Sequence, residues 1–473
     1  MTRRRLIIAL LLLAEIPAIA WSGTHVNSLA ETTQLTVVSE DPYTNRNTFH
    51  RTEAEPDSFA FGSTLVSTFQ VGRAHNCGAS NLGWSVSTDA GATWTDGFLP
   101  GTTVRATPPG PWIRTTDPVV AHDSKHDVWL VEGLGIRKCG RTSRIFVSRS
   151  IDGAASFEEP VVVYHPRRTE NVDKNWITCD NTPTSPFYGN CYTAWDDAGH
   201  HNRLQAYTSS DGGLTWAKAV TPKHYSEVQG VQPVVQPNGN VVMPTWDWSR
   251  AGHETFISTD GGASYSGPFD MPSGKQRWMA GHLANTAVLF VAVDVDAEGR
   301  IYAAWPDCTL RSSERPCSHN DIMFSTSMDG RHWSNQARIP IDPVKSSVDH
   351  FFPAIAVDPT TSGASAHIAV LYYFYPEQHC DVRTCELSVG FISSADGGSS
   401  WAVPLQLAGP FKNTWFPLRF DGYFPGDYFA VSFVDGKAVP VFTVAAQGAC
   451  KLGDITSCHT WIASATIPLP LGT

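Results

Sequence analysis

Charge is what this chain has least of. Asp, Glu, Lys and Arg make up only 17% of its 473 residues, where roughly 25% is usual for a globular domain. Acidic residues outnumber basic ones, 45 to 34, for a formal net charge of −11. Past Arg3-Arg4-Arg5 there is no basic run, so neither nucleic acid nor an anionic membrane surface is expected as a partner. Long apolar runs are also missing. The stretch Leu6–Ala14 is too short to span a bilayer and is followed at once by Glu15 and Pro17, so no membrane span is expected. No Cys-x-x-Cys pair occurs, which removes the commonest zinc frameworks, and no metal ligand set is assigned.

The basic start, the apolar core and the small-x-small end at Ala18-Ile19-Ala20 make residues 1–20 read as a signal peptide, leaving 21–473 as one secreted domain, extracellular or periplasmic. Ten cysteines suit such an oxidising compartment. Eight form near neighbours, 179/191, 308/317, 380/385 and 450/458, and Cys77 and Cys139 fall in equivalent loops of adjacent units. Five disulfides are expected. Aromatics are plentiful at 11%, with 16 Trp, which suits a folded β-rich chain.

One short turn recurs six times. Its cleanest copy is Ser209-Ser210-Asp211-Gly212-Gly213-Leu214-Thr215-Trp216, and the others centre on Asp89, Asp152, Asp260, Asp329 and Asp396. The Asp carboxylate can accept backbone N–H groups within the turn, Gly supplies positive φ, and the closing aromatic can pack over the turn. Ala154 stands where the second Gly belongs, and the copy ending Arg331-His332-Trp333 is one residue short. Each turn follows a short alternating strand, such as Phe256-Ile257-Ser258. Seven units of about four strands can be overlaid. The last has no such turn and no fourth strand, and Gln34–Val38 near the N-terminus is a spare strand that could pair with it and remove an open edge.

The pattern S-x-D-x-G-x-[ST]-[WYF] resembles the Asp-box, or bacterial neuraminidase repeat, of sialidase-like β-propellers. The resemblance implies an all-β fold: a single propeller of four-stranded antiparallel blades, with seven blades expected and six the alternative. It also implies that the repeated aspartates are structural and that ligands sit on the opposite face. That face gathers Arg114, Arg277 and Arg419, which could grip an acidic sugar, and Asp117, Asp173, Tyr423 and Tyr428, candidates for acid and nucleophile. Second strands end in Trp195-Asp196, Trp246-Asp247 and Trp305-Pro306-Asp307, where Trp could stack on a sugar ring. The implied activity is that of an exo-α-sialidase-like glycosidase on an acidic or complex glycan. The rivals are a non-catalytic carbohydrate- or protein-binding propeller and a polysaccharide lyase. The chain departs from true sialidases in two places. Arg338-Ile339-Pro340 follows the fifth turn instead of preceding the first, and Gly230–Trp246 carries Gln232 and Gln236 where the family has Glu and Arg. No cofactor is expected, although a carboxylate-rich loop could hold a structural Ca²⁺. A monomer is expected.

Overall fold

The computed structural model describes residues 34–469 apart from 140, 168–169, 223–225, 285–288, 310–317, 449 and 452. The proposed leader lies outside these residues. The chain is all-β. After β1 (Thr36–Ser39) come β2 (Glu53–Phe61), β3 (Thr64–Arg73), β4 (Ala79–Ser87) and β5 (Thr95–Phe98), then β6 (Arg114–Asp123), β7 (Val128–Lys138), β8 (Arg141–Ser150) and β9 (Val161–Tyr164). The next group is β10 (Val172–Cys179), β11 (Cys191–Asp197), β12 (Arg203–Ser209) and β13 (Ala217–Lys218). A split first strand opens the following one: β14 (Val228–Gln229) and β15 (Val234–Val235), then β16 (Val241–Asp247), β17 (Gly252–Ser258) and β18 (Ser266–Asp270). After them run β19 (Ala292–Val295), β20 (Ile301–Asp307), β21 (Asp321–Ser327) and β22 (Ala337–Arg338), then β23 (Asp349–Val357), β24 (Ile368–Tyr375), β25 (Glu386–Ser394) and β26 (Leu405–Lys412). A hairpin, β27 (Leu418–Arg419) and β28 (Gly422–Tyr423), leads to β29 (Ala430–Val434), β30 (Lys437–Ala445), β31 (Thr460–Ser464) and β32 (Ile467–Pro468).

Within each group consecutive strands pair antiparallel in meanders: three sheets have four strands and two have five, while the first two groups join into one eight-stranded sheet through the single Ala79–Thr115 pair of β4 and β6. The last sheet has the order β29-β30-β31-β1: Thr36 pairs with Ser464 and Val37 with Ala463, so a strand from the start of the chain occupies the edge that the final segment leaves open. First strands lie beside one another, β2 next to β6 and β29, β6 next to β10, β19 next to β23, and β23 next to β29.

Burial explains the sequence pattern. The second strands β11, β16 and β20 are buried at every residue, because each sheet is covered on both faces by its neighbours. They therefore read as continuous apolar runs instead of alternating ones. The fourth strands β5, β13 and β22 are short and largely exposed. Short, polar edges of this kind resist pairing with other chains.

The six turns share one geometry. Ser87 Oγ donates to Asp89 Oδ1 at 2.8 Å and accepts from Gly91 N at 2.9 Å, while Asp89 accepts from Thr93 N at 2.9 Å and from Thr93 Oγ1 at 2.6 Å. The same contacts surround Asp152, Asp211, Asp260 and Asp396. The two irregular copies are solved locally. Ala154 takes the left-handed φ of 67° that glycine takes elsewhere. In the short copy His332 Nδ1 meets Asp329 Oδ2 at 2.7 Å, replacing the missing hydroxyl. Trp216 and Trp333 donate their indole N–H back to the carbonyls of Gly213 and Gly330, both at 3.2 Å, and so pin the turns.

Four expected disulfides are present: Cys77–Cys139, Cys179–Cys191, Cys380–Cys385 and Cys450–Cys458. Cys77–Cys139 links the β3–β4 turn to the β7–β8 turn. The fifth expected pair involves Cys317, which lies outside the described residues.

Candidate functional site

Several first strands start with the same irregularity. Pairing shifts between Ala54 and Asp57, Thr116 and Val119, Asp173 and Trp176, and Phe351 and Ala354. At each shift one non-glycine residue has positive φ: Glu55 (59°), Asp117 (52°), Lys174 (51°) and Phe352 (50°). Each such residue costs about 1–3 kcal/mol. A bulge re-aims a side chain, and in three of the four places that side chain is ionisable.

The result is a buried charge cluster at the starts of β2, β6, β10 and β29. Lys174 Nζ donates to Asp427 Oδ2 and lies 3.9 Å from Glu55 Oε1. Glu55 also accepts from Gln70 Nε2 and, at 3.2 Å, from Asp427 N. Arg419 Nη1 approaches Asp427 Oδ2 at 3.6 Å, while its Nε donates to Asp421 Oδ1 at 2.5 Å. Arg73 donates to Gln70 Oε1 at 2.7 Å. The guanidinium carbons of Arg73 and Arg419 lie 4.5 and 4.7 Å from the centre of the Phe424 ring. Asp117 accepts from Lys174 N at 3.3 Å and from Thr116 Oγ1 at 2.9 Å.

Negative charge exceeds positive charge here, and protons make up the difference. Burial, followed by the nearby Asp117 charge, pushes the half-buried Asp173 carboxyl up to about 7, and a hydrogen bond between the two carboxyls adds to the effect. Burial and the same Asp117 charge raise Glu55 to about 8. Burial and Asp173 drive Asp196, its cross-strand partner, well above the carboxylate range. Asp427 moves the other way: burial opposes ionisation, but Lys174 and Arg419 hold it below its usual value. Lys174 remains a cation despite burial because Asp117, Asp427 and Glu55 surround it. Burial and the neighbouring carboxylates therefore favour the protonated form of Asp173, while the Lys174 ammonium beside it stays charged.

The structure brings together Asp117, Asp173, Asp196, Arg419 and Tyr428 from among the residues singled out in the sequence. Tyr428 donates to the Pro118 carbonyl at 2.9 Å and packs edge-on to Trp176. Burial and the charges of Glu55, Asp117, Asp57 and Asp427 keep its phenol protonated, which disfavours it as a nucleophile. Tyr423 stands on β28, with its ring 6.2 Å from His282 and its backbone paired to the 282–284 segment.

The three arginines of the expected trio have different partners. Arg114 donates to the carbonyls of Ile113 and Asn47. Arg277 lies by Asn320 and Asp349. Arg419 is held by Asp421 and Asp427. The stacking role expected of the second-strand tryptophans also needs correction. Trp195 and Trp305 are 0% exposed and Trp246 is 3% exposed, all inside core clusters, because the second strands are covered on both faces. Asp247 organises a turn, accepting from Glu227 N, Ser249 and Arg250. The accessible aromatics are others. Trp248 and Trp278 are 38% and 49% exposed, with rings 6.5 Å apart and 17° from parallel. Trp248 is held by an indole N–H bond to Gln229 at 2.7 Å. Glu55 and Arg73 were missed in the sequence. The dipeptide Glu55-Pro56, parallel to Asp117-Pro118 and Phe352-Pro353 at other strand starts, was the available signal.

Below the cluster a cavity of about 630 Å³ runs between the first strands, from Lys174 and Asp427 to Phe61, Asp296 and Pro359. Side chains tie neighbouring first strands across it: Asp57 accepts from Val120 N at 2.8 Å, and Asp294 from Val357 N at 2.7 Å.

No protein-family model matches the chain, and no curated protein matches its sequence. Solved structures resemble it at low identity. A protein of unknown function from Dyadobacter fermentans is 15% identical, covering 76% of this chain and 99% of that one, with a TM-score of 0.48. The Hadza microbial sialidase Hz136 is 13% identical over 89% of this chain and 68% of that one, with a TM-score of 0.46. The phage phi92 endosialidase is 10% identical over 93% and 70%, with a TM-score of 0.49.

Proposed function

We propose that the sheets form a seven-bladed Asp-box propeller closed by β1, and that the chain is a secreted glycoside hydrolase acting on an acidic or complex glycan. One observation carries the reading: half-buried Asp173, its carboxyl pushed up to about 7 by burial and by the Asp117 charge, stands beside buried Asp117 where the first strands begin. In this reading Asp173 protonates the glycosidic oxygen as the bond to the sugar breaks, and Asp117 directs the proton. Tyr423, on β28 with its ring beside His282, is the nucleophile candidate, and Arg419 is the anchor for an acidic substituent. The disulfides support secretion.

A second reading has its own support. Lys174 and Arg419 are paired with carboxylates, and Trp248 and Trp278 offer an exposed aromatic surface nearby in sequence to Arg277. Both features suit a glycan-binding propeller without catalysis.

Release of reducing ends from mixed acidic glycans, alongside a fluorogenic sialoside, separates the two. The hydrolase reading expects turnover that falls about 10²–10⁴-fold in Asp173→Asn, as loss of a general acid does, with glycan binding retained. Absence of turnover by the wild-type chain on every substrate overturns it and leaves the binding reading.

A further inference from the structure

A second concave site lies away from the central strands. It is a pocket of about 590 Å³ between the end of β9 and the strands β12 and β13, within the size range of small-ligand sites. Tyr164 and Tyr207 line it, both half-buried and both packed on Trp195, at 5.2 and 5.1 Å between ring centres. That packing gives buried Trp195 a function: it backs the pocket floor.

The charges of the pocket divide unequally. Its two acids are already engaged. Glu170 accepts from the Tyr164 hydroxyl at 2.5 Å and from Arg167 N. Asp197 accepts from Asn171 N at 3.0 Å and Gly199 N at 3.1 Å, and meets His200 Nδ1 at 2.7 Å. Those bonds leave little of either carboxylate for a metal ion. Arg203 and Lys218, by contrast, are exposed and have no carboxylate partner among the described residues. Arg167 and His165 add to the same wall. Burial and the charges of Arg144 and Arg137 hold the His165 imidazole below its usual range, which marks a positive local field. In a chain of net charge −11, a concave site with two cations free of carboxylate partners among the described residues, Arg203 and Lys218, favours an anion.

One buried group says more about the ligand. Gln205 lines the pocket and is 7% exposed, yet its Oε1 has no hydrogen-bond partner. A buried carbonyl oxygen left unpaired is destabilising, and a donor on a ligand would remove that cost. Unpaired guanidinium and ammonium groups beside an unpaired acceptor match a molecule bearing both an oxyanion and hydroxyl donors.

We propose that this pocket binds an acidic saccharide unit, with its sulfate or carboxylate on Arg203 and Lys218, a hydroxyl on the Gln205 carbonyl and its ring against Tyr207. The site is separate from the Asp117–Asp173 cluster. It rests on the glycan reading for the class of ligand but not on hydrolysis.

Titration calorimetry on the full secreted chain tests the site, using a sulfated uronic-acid disaccharide, its unsulfated neutral counterpart and sodium sulfate. The sulfated disaccharide should bind, weaken at least tenfold in Arg203→Gln/Lys218→Gln, and lose affinity with added salt as exposed charges are screened. Gln205→Leu should weaken the disaccharide and leave sodium sulfate unchanged. Asp173→Asn should bind as the wild type does, whether or not any glycan is hydrolysed, so failure of the hydrolase reading leaves this test intact. Equal binding of the neutral disaccharide, or no effect of the double substitution, overturns the anion site. Sodium sulfate binding as tightly as the disaccharide overturns the saccharide. Both substituted cations are exposed, so the double variant retains the fold.

Discussion

Lys174 shows how one residue can hold a site together. Its ammonium is almost wholly enclosed, yet it stays charged because Asp427, Asp117 and Glu55 surround it. A buried pair gains little over a well-packed apolar replacement, but removing one partner leaves the others uncompensated. Lys174→Met should therefore lower stability by about 3–5 kcal/mol in urea unfolding at pH 7. The loss should shrink at pH 5, where the orphaned carboxyls take up protons instead. Equal losses at both pH values would mean that packing, not charge, holds the residue. At this scale the sequence was only partly readable. Asp117, Asp173 and Arg419 stood out as loop charges and do converge. Arg114 and Arg277 stood out equally but are engaged elsewhere: the Arg114 guanidinium donates to the Asn47 carbonyl, and the Arg277 main chain is bonded to the Asn320 amide, with its charge acting on Asp349, all contacts made far along the chain.

At the scale of elements, the recurring turn was the most legible part of the molecule, since every bond it makes lies within a few residues. Its glycines differ in what they protect. Gly262 has a φ of 81°, and a Cβ there would stand 2.3 Å from Thr208 Oγ1 and 2.6 Å from Tyr192 Cδ1. Gly262→Ala combines a left-handed alanine, at about 1–2 kcal/mol, with a clash against a fully buried ring. Ala154 already bears the first of these burdens at the matching position. Its replacement by Gly should relieve about 1 kcal/mol of backbone strain, offset in part by the methyl it removes from the core. Thermal unfolding should thus show a clear fall in Tm for Gly262→Ala and a change within a few degrees for Ala154→Gly. Matching losses in both would remove the steric account. The strands were harder to read than the turns. Trp195, Trp246 and Trp305 end apolar runs beside acids and so looked like ligand platforms. A continuous apolar run also fits a strand covered on both faces, and this is how all three are used. Trp248, two residues past Trp246, carries the exposed ring instead.

At the scale of the whole molecule, the carboxyls fall into two populations with opposite responses to pH. The turn aspartates are held low. Hydroxyl and amide donors of Thr93 do this for Asp89, and Asp329, where burial is outweighed by His332 and the turn amides, lies at about 2. Their contribution is present above the unfolded value of about 4 and is lost as pH falls through the depressed one. The buried carboxyls between and beneath the strands behave in the reverse way. Burial pushes Asp57, Glu132 and Asp349 each up to about 7. In the window from about 4 to 7 the folded chain keeps protons that the unfolded chain has released, so stability falls as pH rises. That contribution is complete below the unfolded value and is gone once pH passes the raised one. The two trends together place maximum stability in mildly acidic solution, near pH 4–5, with Tm declining from pH 5 to pH 8. Calorimetric scans across that range measure it directly. Asp57→Asn supplies the internal control, because the amide oxygen can still accept from Val120 N but cannot titrate, so this variant should show a shallower decline than the parent chain. A Tm that rises from pH 5 to pH 8 would mean that the buried carboxyls are ionised in the folded state and that unseen cations between the strands neutralise them.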